Sequence, residues 1–107
     1  MTIHHLDDVV LAAVAQLGDD AYGVRVRERV GALLGGRVPS VGTVHRTLGR
    51  LERARLVAAR MGEPSPVRGG RAKRLFALTA AGAGALARAR GRAEERATAL
   101  DPDWRPV

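Results

Sequence analysis

The hydrophobic period of this sequence changes once, after Leu56, and that change restricts the fold more than any other feature. Before Leu56, apolar residues recur every three or four positions, which is the period of amphipathic helices. After it, short alternating segments flank a stretch rich in glycine and proline, a pattern typical of a β-hairpin. The sequence therefore predicts a mainly α chain with a small β-hairpin.

The pattern resolves into four helices and two strands. In chain order the predicted elements are a helix from Ile3 that ends at Gly18, helices over 21–34 and from Ser40 to about 54, strands over 57–61 and 72–78, and a helix over 80–100. Short polar residues precede three of the helices and are expected to cap them. These residues are Asp19 and Asp20 for the second helix, Ser40 for the third and Thr79 for the last.

This order of helix, helix, helix, hairpin, helix is that of a winged helix-turn-helix. In such a domain the third helix enters the DNA major groove, and the hairpin lies along the adjoining backbone or minor groove. We therefore expect a DNA-binding domain over 1–78, a dimerisation helix over 79–100 that packs on the same domain, and a tail over 101–107.

Length and composition agree with one small domain. The 107 residues fit a single hydrophobic core. The sequence contains no cysteine, which excludes a disulfide framework and fits a reducing cytoplasm. The first residues lack the pattern of a signal peptide, and no run approaches the ~20 apolar residues of a membrane span. A cytoplasmic protein without a membrane partner is expected.

The positive charge is concentrated in the middle of the chain. The formal net charge is +7, and residues 37–74 carry ten basic residues against only Glu52 and Glu63. Such a concentration indicates a polyanionic partner, with the phosphate backbone of a nucleic acid as the leading candidate. The abundance of arginine has a second explanation, because GC-rich coding also enriches a protein in arginine, alanine and glycine.

The third predicted helix separates an apolar face from a basic one. Its apolar face consists of Val41, Val44, Leu48 and Leu51. Its opposite face consists of Gly42, Thr43, Arg46, Gly49, Arg50 and Arg53. Two glycines would let this acid-free face approach DNA closely, whereas the alternative is an ordinary solvated basic face. His45 lies between the faces and either bonds DNA or packs at the rim.

The predicted hairpin loop carries a second group of cations. They are Arg68, Arg71, Lys73 and Arg74, around the Gly69-Gly70 turn. A tight Gly-Gly tip allows arginine to enter a narrow minor groove, whose negative potential attracts it. The alternative is a solvated loop without a partner.

Three stretches of the sequence together resemble the PadR family of transcriptional regulators. They are Leu-Gly-Asp-Asp-Ala-Tyr-Gly-Val at 17–24, a Ser-Val-Gly-Thr helix ending in Arg-Leu-Glu within 40–57, and a Gly-Gly-Arg wing that leads to Leu-Thr-Ala-Ala-Gly within 69–82. The resemblance covers about residues 6–100. It implies a winged-helix DNA-binding dimer, usually a repressor, whose C-terminal helix pairs the subunits. Many members of the family respond to small aromatic or lipophilic molecules.

By matched position, the resemblance assigns one group of residues to the recognition helix and another to the wing. The first group is Ser40, Thr43, His45, Arg46 and Arg50; the second is Gly70, Arg71 and Lys73. Arg53, Arg68, Gly69 and Arg74 join these groups through their places on the same helix face and loop. The chain has Val-His-Arg at 44–46 where the family usually has Leu-Tyr-Pro, so His45 replaces a tyrosine. Tyr22-Gly23 likewise reverses the usual Gly-Tyr order.

The last predicted helix carries a stripe of small residues, which permits close approach of another helix. The stripe packs either on a second subunit, as we expect, or on its own chain. The expected dimer interface is Leu6, Val10, Leu86, Ala89, Ala93, Ala97 and Leu100. A symmetric dimer would read a pseudo-palindromic operator with half-sites about one helical turn apart. Trp104 either stacks on a ligand near this interface or covers apolar surface.

The expected function is that of a sequence-specific, dimeric transcriptional regulator, a repressor relieved by a small lipophilic or aromatic effector. An enzyme is not expected, because the sequence has neither a phosphate-binding glycine motif nor a nucleophile with a plausible base. No cofactor is expected, and no metal site, since His4, His5 and His45 lack further ligands. The alternative is a winged-helix interaction module that binds another protein, or nucleic acid without sequence specificity.

Overall fold

The computed structural model describes residues 5–63 and 72–105. Within these ranges the chain forms four α-helices, a single 3₁₀ turn and a two-stranded antiparallel hairpin. In chain order they are α1 (His5–Leu17), the 3₁₀ turn (Gly18–Asp20), α2 (Gly23–Leu33), α3 (Val41–Arg53), β1 (Val57–Met61), β2 (Arg74–Leu78) and α4 (Ala80–Leu100). The predicted mainly α fold with a β-hairpin is confirmed.

One hydrophobic core joins every helix to the hairpin. Helix α1 lies at its centre, since it contacts α2, α3, α4 and β2. The core residues are Val10, Leu11, Ala13, Val14, Ala21, Val26, Val30, Val44, Leu48, Leu51, Val57, Phe76 and Leu86. Burial of each large aliphatic or aromatic side chain among them stabilises the fold by about 1.5–3 kcal/mol.

The prediction that the second helix begins at Ala21, capped by Asp19 or Asp20, is wrong. Helix α2 begins at Gly23, and its N-cap residue Tyr22 makes no side-chain cap. The reason is that the preceding segment belongs to the sheet: Tyr22 bridges to Leu75 on β2. The Phe76 N–H also donates to the Ala21 carbonyl at 2.8 Å.

The caps predicted for the other two helices are confirmed. The Ser40 hydroxyl accepts a hydrogen bond from the Thr43 N–H at 3.1 Å, at the start of α3. The Thr79 hydroxyl accepts one from the Gly82 N–H at 3.0 Å, at the start of α4. Each bond satisfies a backbone donor that has no partner inside the helix.

The predicted apolar face of α3 is correct in three of its four positions. Val44, Leu48 and Leu51 are buried, but Val41 is 67% exposed. The fourth buried residue of α3 is Thr47 instead. Its hydroxyl donates a hydrogen bond to the Thr43 carbonyl at 2.8 Å. That bond satisfies the hydroxyl inside the helix, so burial of Thr47 leaves no polar group without a partner.

The hairpin pairs β1 and β2 in antiparallel register, with Ala59 opposite Phe76. Strand β2 begins at Arg74 rather than at the predicted Ala72. The fold then turns sharply into α4, where the Gly82 backbone lies directly against the Leu56 carbonyl and leaves no space for a Cβ atom. Helix α4 is thereby fixed against the junction between α3 and β1.

Candidate nucleic-acid interface

The orientation of α3 is fixed by the connector that precedes it. The Arg27 Nε atom donates to the Pro39 carbonyl at 2.7 Å, which ties α2 to this connector. A Cβ atom at Gly31 would lie 2.6 Å from Val38 Cγ2, so glycine allows the connector to pass close to α2. Neither Arg27 nor Gly31 is predicted by the sequence pattern, because the hydrogen bond and the close approach both depend on how the chain turns between the helices.

The N-terminal part of α3, with its N-cap residue, carries three polar side chains, of which Ser40 and Arg46 are exposed and Thr43 is half-buried. The Ser40 hydroxyl lies 2.8 Å from the Thr43 hydroxyl oxygen, which in turn accepts from Arg46 Nη2 at 3.4 Å. These contacts bring together two hydroxyls and a guanidinium group. Such a set supplies donors for phosphate oxygens and for the acceptor edge of guanine.

The outer surface of α3 is open along its two glycines. A Cβ atom at Gly42 would meet only the end of Arg46, at 3.2 Å, and one at Gly49 only the end of Arg53, at 3.4 Å. No other described part of the chain comes within 4 Å of these positions. The surface is therefore accessible to a large partner such as a nucleic acid.

Arg50 differs from the other arginines of this face because it has an acidic partner. Its guanidinium forms an ion pair and hydrogen bonds with the Asp7 carboxylate of α1, one of them 3.5 Å from Nε to Oδ2. The hydrogen bond raises the pKa of Arg50 above its ordinary value. Arg50 is thus directed towards α1, whereas Arg46 and Arg53 are exposed.

His45 is exposed at the rim of a groove and is not part of the core. The groove lies between α2, α3 and β2, and the ring of Tyr22 forms part of its wall. The Lys73 ammonium lies 4.0 Å from the centroid of that ring, in cation–π geometry. Tyr22 is a third residue of this region that the sequence pattern did not predict.

The wing is only partly within the described residues. Arg68, Gly69, Gly70 and Arg71 lie outside them, while Lys73 and Arg74 lie within them. Arg74 Nη2 is 2.7 Å from both carboxylate oxygens of Glu52, which ties the base of the wing to α3. Lys73, which immediately precedes β2, lies beside the same groove as His45, whereas Arg74 is already paired with an acid.

The sequence profile of the transcriptional regulator PadR-like family matches residues 10–88. The chain belongs to this family. The resemblance of the three sequence stretches is thereby confirmed, and the protein is a DNA-binding transcription regulator rather than an enzyme. The basic surface of α3 and β2 is accordingly the candidate DNA interface of this PadR-like regulator.

Solved structures of bacterial regulators have the same fold. A PadR-like transcriptional regulator from Bacillus cereus superimposes with a TM-score of 0.73 at 18% identity, over 91% of this chain and 88% of its own. A Streptococcus transcriptional regulator superimposes with a TM-score of 0.72 at 20% identity, over 91% of this chain and 89% of its own. A PadR family transcription regulator from Clostridium difficile superimposes with a TM-score of 0.69 at 19% identity, over 91% of this chain and 97% of its own. At these identities the likeness shows the fold, and no curated protein matches the sequence.

The residues expected at the dimer interface differ in exposure. Val10 and Leu86 are buried in the core of their own chain. Leu6, Ala89 and Ala97 are half-buried, while Ala93 and Leu100 are exposed, Leu100 by 89%. The exposed part of this expected interface therefore lies mainly along the C-terminal half of α4. Beyond it, Trp104 is half-buried in a short turn closed by its N–H to the Asp101 carbonyl, at 2.9 Å.

Residues 5–63 and 72–105 contain neither a metal-binding cluster nor a membrane-spanning helix. No three histidine or carboxylate side chains in these ranges are placed to hold a metal ion together. None of the described helices is both long enough and apolar enough to cross a bilayer.

Proposed function

We propose that this PadR-like regulator is a sequence-specific, dimeric repressor that binds a pseudo-palindromic operator. The observation that carries this proposal is the open N-terminal part of α3, where Ser40, Thr43 and Arg46 form a polar surface without an acid. In a winged helix the N-terminal part of the recognition helix is the part that contacts base edges. Arg46 is then the residue that reads sequence, because a guanidinium can bond two guanine acceptors together.

The remaining basic residues have different roles in this proposal. Arg53 and His45 contact the phosphate backbone beside the major groove. The wing contacts the minor groove or its flanking phosphates through Lys73 and through Arg68, Gly69, Gly70 and Arg71. Arg50 and Arg74 already have carboxylate partners, so each joins the interface only if a phosphate takes the place of its acid.

The proposed dimer is built on α4. Residues 1–78 form the DNA-binding unit, residues 79–100 pack on it and pair the subunits, and residues 101–107 form the tail. Support comes from the 21 residues of α4, about 30 Å of helix at 1.5 Å per residue, whose second half is largely exposed. A lipophilic or aromatic effector would release the repressor from DNA in the cytoplasm.

The first experiment is a selection of bound duplexes from a random DNA pool at physiological salt, with the protein's mass in solution measured in parallel. An enriched inverted repeat and a dimeric mass are expected. Placing that repeat within a promoter should lower the expression of a reporter gene when the protein is present. Binding that is salt-sensitive but blind to sequence would instead favour an interaction module.

A further inference from the structure

The groove between α2, α3 and β2 has the size and lining of a small-molecule site. Its volume is about 360 Å³, within the range of roughly 300–1,000 Å³ that small-molecule sites occupy. Its floor consists of the core residues Val44, Leu48 and Phe76. The core side chains thus reach the surface here and form an apolar base.

Two valines extend the apolar lining to the rim of the groove. Val24 of α2 is 63% exposed and Val41 of α3 is 67% exposed. A single exposed aliphatic residue is ordinary, but these two line one concave surface from opposite helices. An apolar body in the groove would remove both from water, which favours its binding.

The ionisable residues of the groove indicate which charge its ligand carries. The ionisable residues among the described lining are Tyr22, Arg27, His45, Lys73 and Arg74, and none of these is acidic. The Arg27 Nε atom is bonded to a backbone carbonyl, and Arg74 is paired with Glu52. Lys73 lies over an aromatic ring, and within the described ranges no carboxylate pairs with it.

We propose that this groove binds a small amphiphilic anion, an apolar body that carries one carboxylate or sulfonate group. The apolar body lies on Val44, Leu48 and Phe76 between the two rim valines, and the anionic group pairs with the Lys73 ammonium. A cation of the same shape is repelled by these side chains. A neutral molecule gains only the apolar contacts.

Binding of this anion competes with DNA, and that part of the inference rests on the proposed function. His45 and Lys73, which border the groove, are also proposed contacts to phosphate. An anion paired with Lys73 neutralises a charge that the DNA backbone would otherwise use. The groove is thus a site at which a metabolite-sized anion lowers the affinity for an operator directly, within one subunit.

The test uses the full chain without DNA and three ligands that share one chain length. Anilinonaphthalene sulfonate serves as the fluorescent probe, and decanoate, decanol and decyltrimethylammonium compete with it. We expect saturable binding of the probe, with displacement strongest for decanoate, weaker for decanol and weakest for the cation. Equal displacement by the cation would overturn the assigned charge, and no saturable binding would overturn the site.

Matched variants locate the site. Lys73→Gln should weaken decanoate binding by about two- to fivefold, the value of one exposed ion pair, and leave decanol binding unchanged. Val24→Thr and Val41→Thr should each lower the affinity for both decanoate and decanol. Val38→Thr and Arg92→Gln, which lie outside the groove lining, are the controls. If the groove variants bind like the controls, the anion binds elsewhere and the inference fails.

DNA binding is measured separately, so the two proposals fail in different ways. If the anion binds as expected but no duplex sequence is enriched, the groove site stands and the operator proposal fails. If an operator is enriched and the anion does not bind, the reverse holds. With both present, decanoate should weaken operator binding by the parent protein more than by the Val24→Thr variant. An equal effect on both proteins would overturn competition at the groove.

Discussion

Asp7 on α1 forms an ion pair with Arg50 on α3, and this pair ties the candidate recognition helix to the first helix of the core. The two residues are 43 positions apart in the sequence. An acid held against the DNA-binding face competes with phosphate for the same guanidinium. In the proposed complex, a phosphate must therefore displace Asp7 before Arg50 can take part in DNA binding.

Replacing this acid should strengthen DNA binding. In Asp7→Asn, Arg50 is released and a negative charge near the interface is removed, so we expect affinity to rise by about two- to fivefold. The slope of log affinity against log salt should steepen by about 1, because one more phosphate contact is made. Asp8→Asn removes the same charge from the neighbouring residue and is the control. Equal effects of the two variants would show that Arg50 makes no contact.

Arg46 should carry sequence discrimination. Arg46→Ala is expected to cost about 1–3 kcal/mol on the selected operator and to relax the preference at one base position. Arg88→Ala, at an exposed position in the N-terminal half of α4, is the control for loss of charge alone. Titration of both variants with operator and random duplexes measures the effect. If Arg46→Ala binds both duplexes like the parent, the assignment of the recognition helix is wrong.

Lys73 should contribute affinity without specificity. Lys73→Ala removes one cation beside the phosphate path, so operator and random duplexes should lose affinity by the same factor. The salt slope should become shallower by about 1. Binding isotherms at four or more salt concentrations measure this slope. A loss confined to the operator would instead mean that Lys73 reads base edges.

The close approach between α4 and the α3–β1 junction should be measurable as stability. Gly82→Ala places a Cβ against the Leu56 carbonyl, and overpacking of this kind costs about 1–3 kcal/mol of the free energy of unfolding. Gly91→Ala lies in the same helix with open space around it and should stabilise by about 0.5–1 kcal/mol. Denaturant unfolding at one fixed protein concentration compares the two. Similar values for both would contradict the packing of α4.

Local sequence patterns predicted those parts of the fold that are decided locally. Residues a few positions apart are enough to predict the caps Ser40 and Thr79, the strand Val57–Met61 and the helix Ala80–Leu100. They are not enough for the start of α2, because Ala21 and Tyr22 are held in non-helical backbone conformations by hydrogen bonding and bridging to a strand more than fifty residues later.

The candidate site divides in the same way. Arg46 and Thr43 were predicted from their helix face, since a helical wheel depends only on local geometry. The acids that pair with Arg50 and Arg74 come from other elements, and no pattern in the sequence relates them. The apolar groove was not predicted either, because its lining comes from three elements that meet only in the folded chain.

The attachment of Tyr22 to Leu75 has a consequence for the DNA that such a protein can accept. The start of α2 is bonded to β2, and β2 is bonded through Arg74 to Glu52 of α3, so the two helices and the base of the wing are linked directly to one another. In the proposed complex, we expect these links to keep the distance between the bases read by α3 and the phosphates met by the base of the wing constant within each half-site. The proposed dimer would then accommodate variation among operators between its subunits, in the length and bend of the spacer that separates the half-sites.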